Sequence, residues 1–129
     1  MAVQLNHTIV WCRDQQRSAT FLAHILGRPD PVRFGPFLVV QLDNAASLDF
    51  YQQGEVQLQH YAFLVGETEF DAMFGRIRAA GISYWADPMR NEPGAINHYH
   101  GGRGVYFEDP DGHFLELLTR PYPVGQPAV

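Results

Sequence analysis

An internal duplication constrains this chain more than any other feature of its sequence. The segment LNHTIVWCRD (5–14) aligns without a gap with LQHYAFLVGE (58–67). Each segment begins with leucine, a polar amide and histidine, continues as a mostly apolar run, and precedes a helical pattern. Repeated self-similarity of this kind indicates that one supersecondary unit occurs twice in the chain.

The helix after each repeat is predicted from its capping residues and apolar spacing. The first is expected at about 15–26, between Asp14 as N-cap and Gly27 as terminator. The second is expected to follow Thr68 as N-cap and to end at Gly81. Its apolar residues recur at i, i+3, i+4 and i+7, as on one face of an amphipathic helix. These residues are Phe70, Met73, Phe74 and Ile77.

Short strand candidates follow each helix. In the first half they lie near 31–34, 37–42 and 46–52, and in the second half near 82–85, 95–100, 103–109 and 113–119. The polar insert ADPMRNEPG, with two prolines and a glycine, is predicted to be a loop over 86–94. The order of elements predicts an α+β chain built as a tandem βαβββ duplication, with modules at about 4–53 and 56–120.

The duplication also pairs four polar side chains. His7 and His60 are equivalent on the two first strands, and Asp49 and Glu116 are equivalent on the two last strands. Strand side chains alternate between faces, so these groups are expected to converge if the two sheets curl around a common cavity. Two imidazoles and one carboxylate with open positions suit Fe(II), and with less selectivity other divalent ions. The predicted metal ligands are therefore His7, His60 and Glu116.

Each of these residues also has an ordinary structural interpretation. A single strand histidine is commonly a hydrogen-bonded core or surface residue. A single glutamate commonly faces solvent or pairs with an arginine, here Arg103 or Arg120. Asp49 is left open as a fourth ligand, a substrate contact or a remnant of the duplication, because its side chain is one methylene shorter than glutamate.

Composition excludes several classes of function. The net charge of −5 and the pI near 5.6 argue against a nucleic-acid partner. No apolar run approaches the roughly 20 residues that span a bilayer, so no membrane association is expected. The start MAVQLNHTIVWCRD has neither the basic region nor the apolar core of a signal peptide. Cys12 is the only cysteine, which rules out an internal disulfide and fits a cytoplasmic location.

The segments LNHTIV, LQHYAF and GVYFEDPDGHFLEL together resemble the vicinal oxygen chelate superfamily over residues 4–120. This superfamily includes glyoxalase I, extradiol dioxygenases, fosfomycin-resistance thiol transferases, methylmalonyl-CoA epimerase and bleomycin-resistance proteins. The resemblance implies one domain over 1–129, with its βαβββ modules forming an open barrel-like mixed sheet around a central cleft. It also implies metal ligands at His7, His60 and Glu116. Members usually form homodimers, and in several of them both chains help to build each site.

The stretch INHYHGGRGVYFEDPDGHFLE (96–116) is similar to the signature of the extradiol dioxygenases. In this alignment His98 takes the place of an acid–base residue and Tyr106 that of a tyrosine which hydrogen-bonds the substrate oxygen. A catechol that binds as a chelate must lose protons, and an imidazole can accept one at neutral pH. Because the signature is otherwise shared across the superfamily, only His98 discriminates, and an exposed structural role for it stays open.

The resemblance therefore leads to one expected function and two alternatives. The expected function is that of an extradiol-type, ring-cleaving dioxygenase, with Fe(II) as the preferred metal and a small catechol-like substrate that chelates it. Manganese, zinc or nickel suit the same ligands. The first alternative is a glyoxalase- or epimerase-like lyase or isomerase that uses the same metal site. The second is a metal-free drug- or metabolite-binding protein of the bleomycin-resistance type.

Overall fold

The structure, a computed structural model, describes residues 2–125 and divides them into two compact units. The first unit comprises residues up to 58 together with 109–112, and the second comprises 59–108 together with residues from 113 onward. Each unit holds one α-helix and one four-stranded mixed sheet. The predicted α+β class with two βαβββ modules is therefore confirmed.

The first unit runs strand, helix and three strands. Its elements are β1 (His7–Cys12), α1 (Gln15–Leu26), β2 (Val32–Phe34), β3 (Phe37–Gln41) and β4 (Ser47–Gln52). The sheet has the order β1-β4-β3-β2, with β1 parallel to β4 and the other neighbours antiparallel. All three strands after the helix lie where the sequence pattern predicts them.

The second unit repeats this arrangement. Its elements are β5 (His60–Leu64), α2 (Glu67–Ala79), β6 (Tyr84–Trp85), β7 (Gly104–Glu108) and β8 (Phe114–Leu118), with a 3₁₀ turn at Tyr99–Gly101 before β7. The sheet has the order β5-β8-β7-β6, with β5 parallel to β8. The predicted loop over 86–94 contains no strand.

The strand register of the two units is equivalent. In the first unit the Cα partner of Asp49 is Ile9, and in the second the partner of Glu116 is Ala62. Each acidic residue therefore lies opposite the residue two positions after the repeated histidine, His7 or His60. This register confirms the predicted equivalence of Asp49 and Glu116 on the two last strands.

The helix boundaries agree with the prediction in one unit and differ in the other. Asp14 caps α1, since its side chain accepts a hydrogen bond from the Arg17 amide, and Gly27 ends the helix at φ 64°. The N-cap of α2 is Gly66, so the prediction of Thr68 was wrong. Thr68 instead lies in the first turn, where acidic side chains stabilise the helix end that Gly66 leaves without a side-chain cap.

The predicted strand at 95–100 was also wrong. Asn97 forms only an isolated bridge to Gly104, and the chain then enters the 3₁₀ turn. His100 adopts φ 56° within that turn, a left-handed conformation that interrupts an extended strand. The three strands after α2 are therefore β6, β7 and β8.

Burial alternates along β1 and β3, as predicted for strands with one buried face. On β1, Val10 and Cys12 are buried, whereas His7 and Ile9 are exposed. Burial, followed by the negative charge of Asp111, raises the pKa of Cys12 to about 12, so its thiol serves as a packed apolar group. The largest fully buried side chains include Ile25, Val40 and Phe50 in the first unit, and Phe70, Ile77, Phe107 and Leu117 in the second.

Both α-helices are short compared with the thickness of a bilayer. Helix α1 has 12 residues and α2 has 13, and a membrane span needs roughly 20 apolar residues. Over residues 2–125, the structure contains no helix that is long and apolar enough to cross a membrane.

Candidate metal centre

The second unit brings two of the predicted ligands together. The Nε2 atom of His60 lies 3.0 Å from the Oε1 atom of Glu116. Glu116 sits in the interior of β8 and is 2% exposed, whereas the His60 side chain on the neighbouring β5 is 48% exposed. A carboxylate is costly to bury without a positive partner. The pair therefore forms a site that is anchored at the carboxylate and open to solvent at the imidazole.

The other ring nitrogen of His60 fixes its tautomer. Nδ1 lies 2.9 Å from the Phe114 carbonyl oxygen, which only accepts hydrogen bonds, so Nδ1 carries the proton. In a neutral His60 the Nε2 atom is then a bare acceptor, and it faces a carboxylate oxygen that also accepts. Two acceptors at this distance need a cation between them, either a proton or a metal ion.

The geometry of the pair fits a metal. A divalent ion bonds to imidazole nitrogen and carboxylate oxygen at about 2.0–2.2 Å. At a bond angle near 90° this places the two ligand atoms roughly 3 Å apart. The separation of 3.0 Å between His60 Nε2 and Glu116 Oε1 therefore accommodates such an ion without moving the ligands apart. The hydrogen bond from His60 Nδ1 to a backbone carbonyl is the support usual for metal-bound histidines.

Two tyrosine hydroxyls lie behind the carboxylate. The hydroxyl of Tyr122 donates to Glu116 Oε2, and it lies 3.1 Å from the hydroxyl of Tyr106. Burial raises the pKa of Tyr106. Burial and the hydrogen bond to Glu116 raise the pKa of Tyr122 further. Both hydroxyls therefore stay protonated at neutral pH.

Sequence reasoning identified Tyr106 but missed Tyr122. The missed residue lies six positions after Glu116, in the segment that follows β8. The feature that could have indicated Tyr122 is its position between Pro121 and Pro123, directly after the strand that carries Glu116.

Aromatic rings pack beside the pair. Tyr106 stacks on Phe114 with 5.3 Å between ring centroids and lies 6.0 Å from the His60 ring. Arg90 belongs to the loop before the 3₁₀ turn, and its guanidinium lies 4.0 Å from the centroid of the Phe114 ring. The Phe114 ring is therefore packed against both Tyr106 and Arg90.

The segment with His98 is anchored by its neighbour Asn97. Asn97 is buried, donates from its side chain to the Ala86 carbonyl, and accepts from the Tyr99 amide. His98 follows it and is exposed to solvent. His100, in the same segment, contacts Tyr122, and the centroids of the two rings are 5.5 Å apart.

The remaining predicted residues lie in the first unit. His7 is exposed, and its Nδ1 lies 2.7 Å from the side-chain oxygen of Asn6. Asp49 is 9% exposed and accepts a hydrogen bond of 2.7 Å from the Ser47 hydroxyl. The second unit has Phe114 in the position of Ser47, so Asp49 and Glu116 occupy equivalent strand positions in different surroundings.

A cavity of about 420 Å³ in the first unit is lined by both His7 and Asp49. Its other lining residues are largely apolar and include Ile9, Val32 and Phe34, with Arg33 as a cationic group. Concave, mostly apolar surfaces with a few polar groups are the usual form of small-molecule sites.

The structure does not assemble the complete predicted triad within one unit, since His7 lies in the first and the His60–Glu116 pair in the second. Among residues 2–125, no group of three histidine, cysteine, aspartate or glutamate side chains lies close enough together to hold a metal ion.

Comparisons with known proteins identify the family. No family model matches the chain. The solved structure of Oxidase ChaP-H1 is 62% identical to it, with a TM-score of 0.93, over 95% of this chain and 99% of that one. Oxidase ChaP-H2 is 57% identical, with a TM-score of 0.92, over 98% of this chain and 100% of that one. Glutathione transferase FosA of Serratia marcescens is 32% identical over 124 residues, which are 91% of this chain and 81% of that relative.

The fold, the repeated register and these relatives establish the class of protein. The chain belongs to the vicinal oxygen chelate superfamily, as its sequence motifs predict. The relatives that it matches over most of its length are enzymes.

Proposed function

We propose that this protein is a metal-dependent oxidoreductase that consumes dioxygen, with a catechol-like aromatic substrate whose adjacent oxygens chelate the metal. The observation that carries the proposal is the contact of His60 Nε2 with the buried Glu116 Oε1, 3.0 Å apart. The high identity to two proteins named oxidases supports oxidation over the other reactions of the superfamily. Extradiol ring cleavage is the specific reaction that we propose.

The proposed metal is Fe(II), held by His60, Glu116 and His7. Two imidazoles and one carboxylate leave positions open for a substrate and for dioxygen. Manganese, zinc and nickel suit the same donors, so the experiment below offers each of them. In several members of the superfamily both chains help to build a site, and His7 is exposed at the start of β1. We therefore propose a homodimer in which His7 of one protomer completes the site of its partner.

The surrounding residues have distinct proposed roles. A bound Fe(II) would supply Lewis acidity and a site for dioxygen. Tyr106, whose hydroxyl lies 3.1 Å from that of Tyr122, would hydrogen-bond a substrate oxygen. His98 would accept a proton from the catechol, as a neutral imidazole does near pH 7.

The partners follow from the same proposal. The cavity that contains His7 has a volume of about 420 Å³, within the range of small-molecule sites, and would take part of an aromatic substrate. The small-molecule substrate, the homodimer and a cytoplasmic location all remain predictions.

A second candidate function is thiol transfer, favoured by the 32% identity to glutathione transferase FosA. A transferase that binds an anionic phosphonate needs cationic side chains at its site. The sequence has no lysine. Arg103 donates to Glu67 and Asp71, and Arg90 pairs with Glu108 at 3.5 Å. Because these two arginines already pair with carboxylates, thiol transfer to a phosphonate is the weaker proposal.

Oxygen uptake by the reconstituted enzyme tests the function. The protein is loaded anaerobically with Fe(II), Mn(II), Zn(II) or Ni(II) and exposed to a panel of catechols and hydroxylated polycyclic aromatics. We expect oxygen consumption with Fe(II), loss of consumption in Glu116→Gln, and retention in Glu55→Gln, whose carboxylate is exposed in the first unit.

Two parallel assays separate the alternatives. Isomerisation of a hemithioacetal with Zn(II) or Ni(II), without oxygen uptake, would replace the proposal with glyoxalase-like chemistry. Consumption of glutathione with fosfomycin would replace it with thiol transfer. A folded protein that binds an aromatic ligand equally well with and without metal would support the metal-free binding function.

A further inference from the structure

The segment after β8 returns to the candidate metal centre through one side chain. Tyr122 is 39% exposed, yet its hydroxyl reaches Glu116, which is buried. The ring has one further aromatic contact, the His100 ring at 5.5 Å. A tyrosine that is partly open to solvent and still reaches a buried carboxylate is held there by its hydroxyl more than by packing.

The proton of Tyr122 has one consistent direction. An ionised carboxylate accepts and does not donate, so this proton points to Glu116 Oε2. The Tyr106 hydroxyl lies 3.1 Å from the Tyr122 oxygen and also hydrogen-bonds Glu116. Tyr122 therefore holds Oε2, the oxygen of Glu116 that does not contact His60.

The backbone presents Tyr122 in a restricted conformation. Proline on the C-terminal side favours extended dihedral angles for Tyr122, and Pro121 and Pro123 each have a fixed φ. The Val124 amide also donates to the Tyr122 carbonyl at 2.7 Å, which closes a tight turn. Little chain entropy is therefore lost when the hydroxyl is held against Glu116.

We propose that Tyr122 is a positioning residue, which holds Glu116 Oε2 so that only Oε1 is presented beside His60 to the metal. This inference rests on the metal site proposed above. With Oε2 hydrogen-bonded to the tyrosine, the carboxylate binds through a single oxygen and keeps its orientation when no metal is bound. Hydrogen bonds of this kind to a ligand typically change metal affinity by about 10- to 100-fold.

Metal affinity of the variant Tyr122→Phe tests the proposal. Co(II) is titrated into metal-free protein against a competing chelator, and its visible spectrum reports the coordination geometry. We expect Tyr122→Phe to bind Co(II) about 10- to 100-fold more weakly, with an altered spectrum. Tyr84→Phe, which removes a half-buried tyrosine hydroxyl in the same unit, should match the wild type.

A second variant separates the hydroxyl from the ring. Tyr122→Ala should lose about as much affinity as Tyr122→Phe, because the hydroxyl carries the effect. Wild-type or tighter affinity in Tyr122→Phe would overturn the proposal, as would a loss confined to Tyr122→Ala. If the wild type itself binds no Co(II), the proposed metal site fails and this inference fails with it. If the wild type binds and Tyr122→Phe matches it, only the role of Tyr122 is refuted.

Discussion

His60 and Glu116 lie on adjacent parallel strands, with His60 Nε2 and Glu116 Oε1 3.0 Å apart. The strand register places Phe114, and not Glu116, directly opposite His60. That offset lets the Phe114 carbonyl accept from Nδ1 while the glutamate side chain reaches Nε2. One strand thus fixes the tautomer of the histidine and supplies the carboxylate that faces its free nitrogen.

Complementation between two defective variants tests whether sites are shared between protomers. His7→Ala and Glu116→Gln should each fail to bind metal as separate homodimers. When the two are refolded together at random, half of the dimers are mixed, and each mixed dimer has one complete site of two. We therefore expect bound metal to recover to about a quarter of the wild-type value, measured per chain after removal of free ions.

The matched control for this experiment mixes His60→Ala with Glu116→Gln. Both substitutions affect the same unit, so no mixed dimer regains a complete site. If the His7→Ala and Glu116→Gln mixture recovers no more metal than this control, the shared site is refuted.

The variant His98→Gln tests the proposed acid–base residue. Removing a positioned acid–base group typically slows the chemical step by about 10²- to 10⁴-fold. We expect kcat for oxygen uptake to fall by that factor, with metal content unchanged, because His98 is not among the proposed ligands. His24→Gln, an exposed histidine on α1, should keep wild-type turnover. An unchanged kcat in His98→Gln would show that His98 has no acid–base role in the reaction.

The ion pairs of Arg103 should make stability depend on pH in a defined direction. A hydrogen bond from Arg103 lowers the pKa of Asp71 below its ordinary 3.8. Hydrogen bonds from Thr119 and Arg103 likewise lower the pKa of Glu67 below 4.5. A carboxyl group with a lowered pKa in the folded state stabilises the protein above its ordinary pKa, and that stability is lost as the pH falls through the folded value.

Thermal unfolding of Arg103→Gln measures this effect in the metal-free protein. We expect its Tm to lie about 2–4 °C below that of the wild type at pH 7. The difference should begin to shrink as the pH falls below the ordinary values of 4.5 and 3.8, where the unfolded carboxyl groups take up protons, and should be smallest below the lowered pKa values of the folded state. Arg17→Gln, an exposed arginine on α1, should show a smaller difference throughout. A difference that stays constant from pH 7 to pH 3 would contradict the assignment.

The fold was predictable from the sequence because the duplication supplies two independent instances of one pattern. The equivalence of Asp49 and Glu116 predicts the strand register, and the observed pairs Ile9–Asp49 and Ala62–Glu116 agree with it. The prediction of secondary structure was less accurate where the second half departs from the repeat. The false strand at 95–100 lies in the longer second half, where Asn97 and a left-handed His100 favour a turn over a strand.

The site was predictable only in the residues that the repeat duplicates. His60 and Glu116 belong to the repeated strands, and their proximity follows from parallel neighbours. Tyr122 lies outside both modules and has no counterpart in the first, so periodicity gave no sign of it. Its contact with Glu116 depends on how the chain turns after β8, which the spacing of residues does not specify.

The most direct test of the account is the metal content of anaerobically purified protein after Fe(II), Mn(II), Zn(II) and Ni(II) are offered in turn. We predict about one tightly held divalent ion per chain in the wild type and in Glu55→Gln, and none in Glu116→Gln. Selective retention of Fe(II) would further support the oxygen-dependent function. A folded wild type that holds none of the four ions, or a Glu116→Gln variant that holds them equally well, would contradict the central claim.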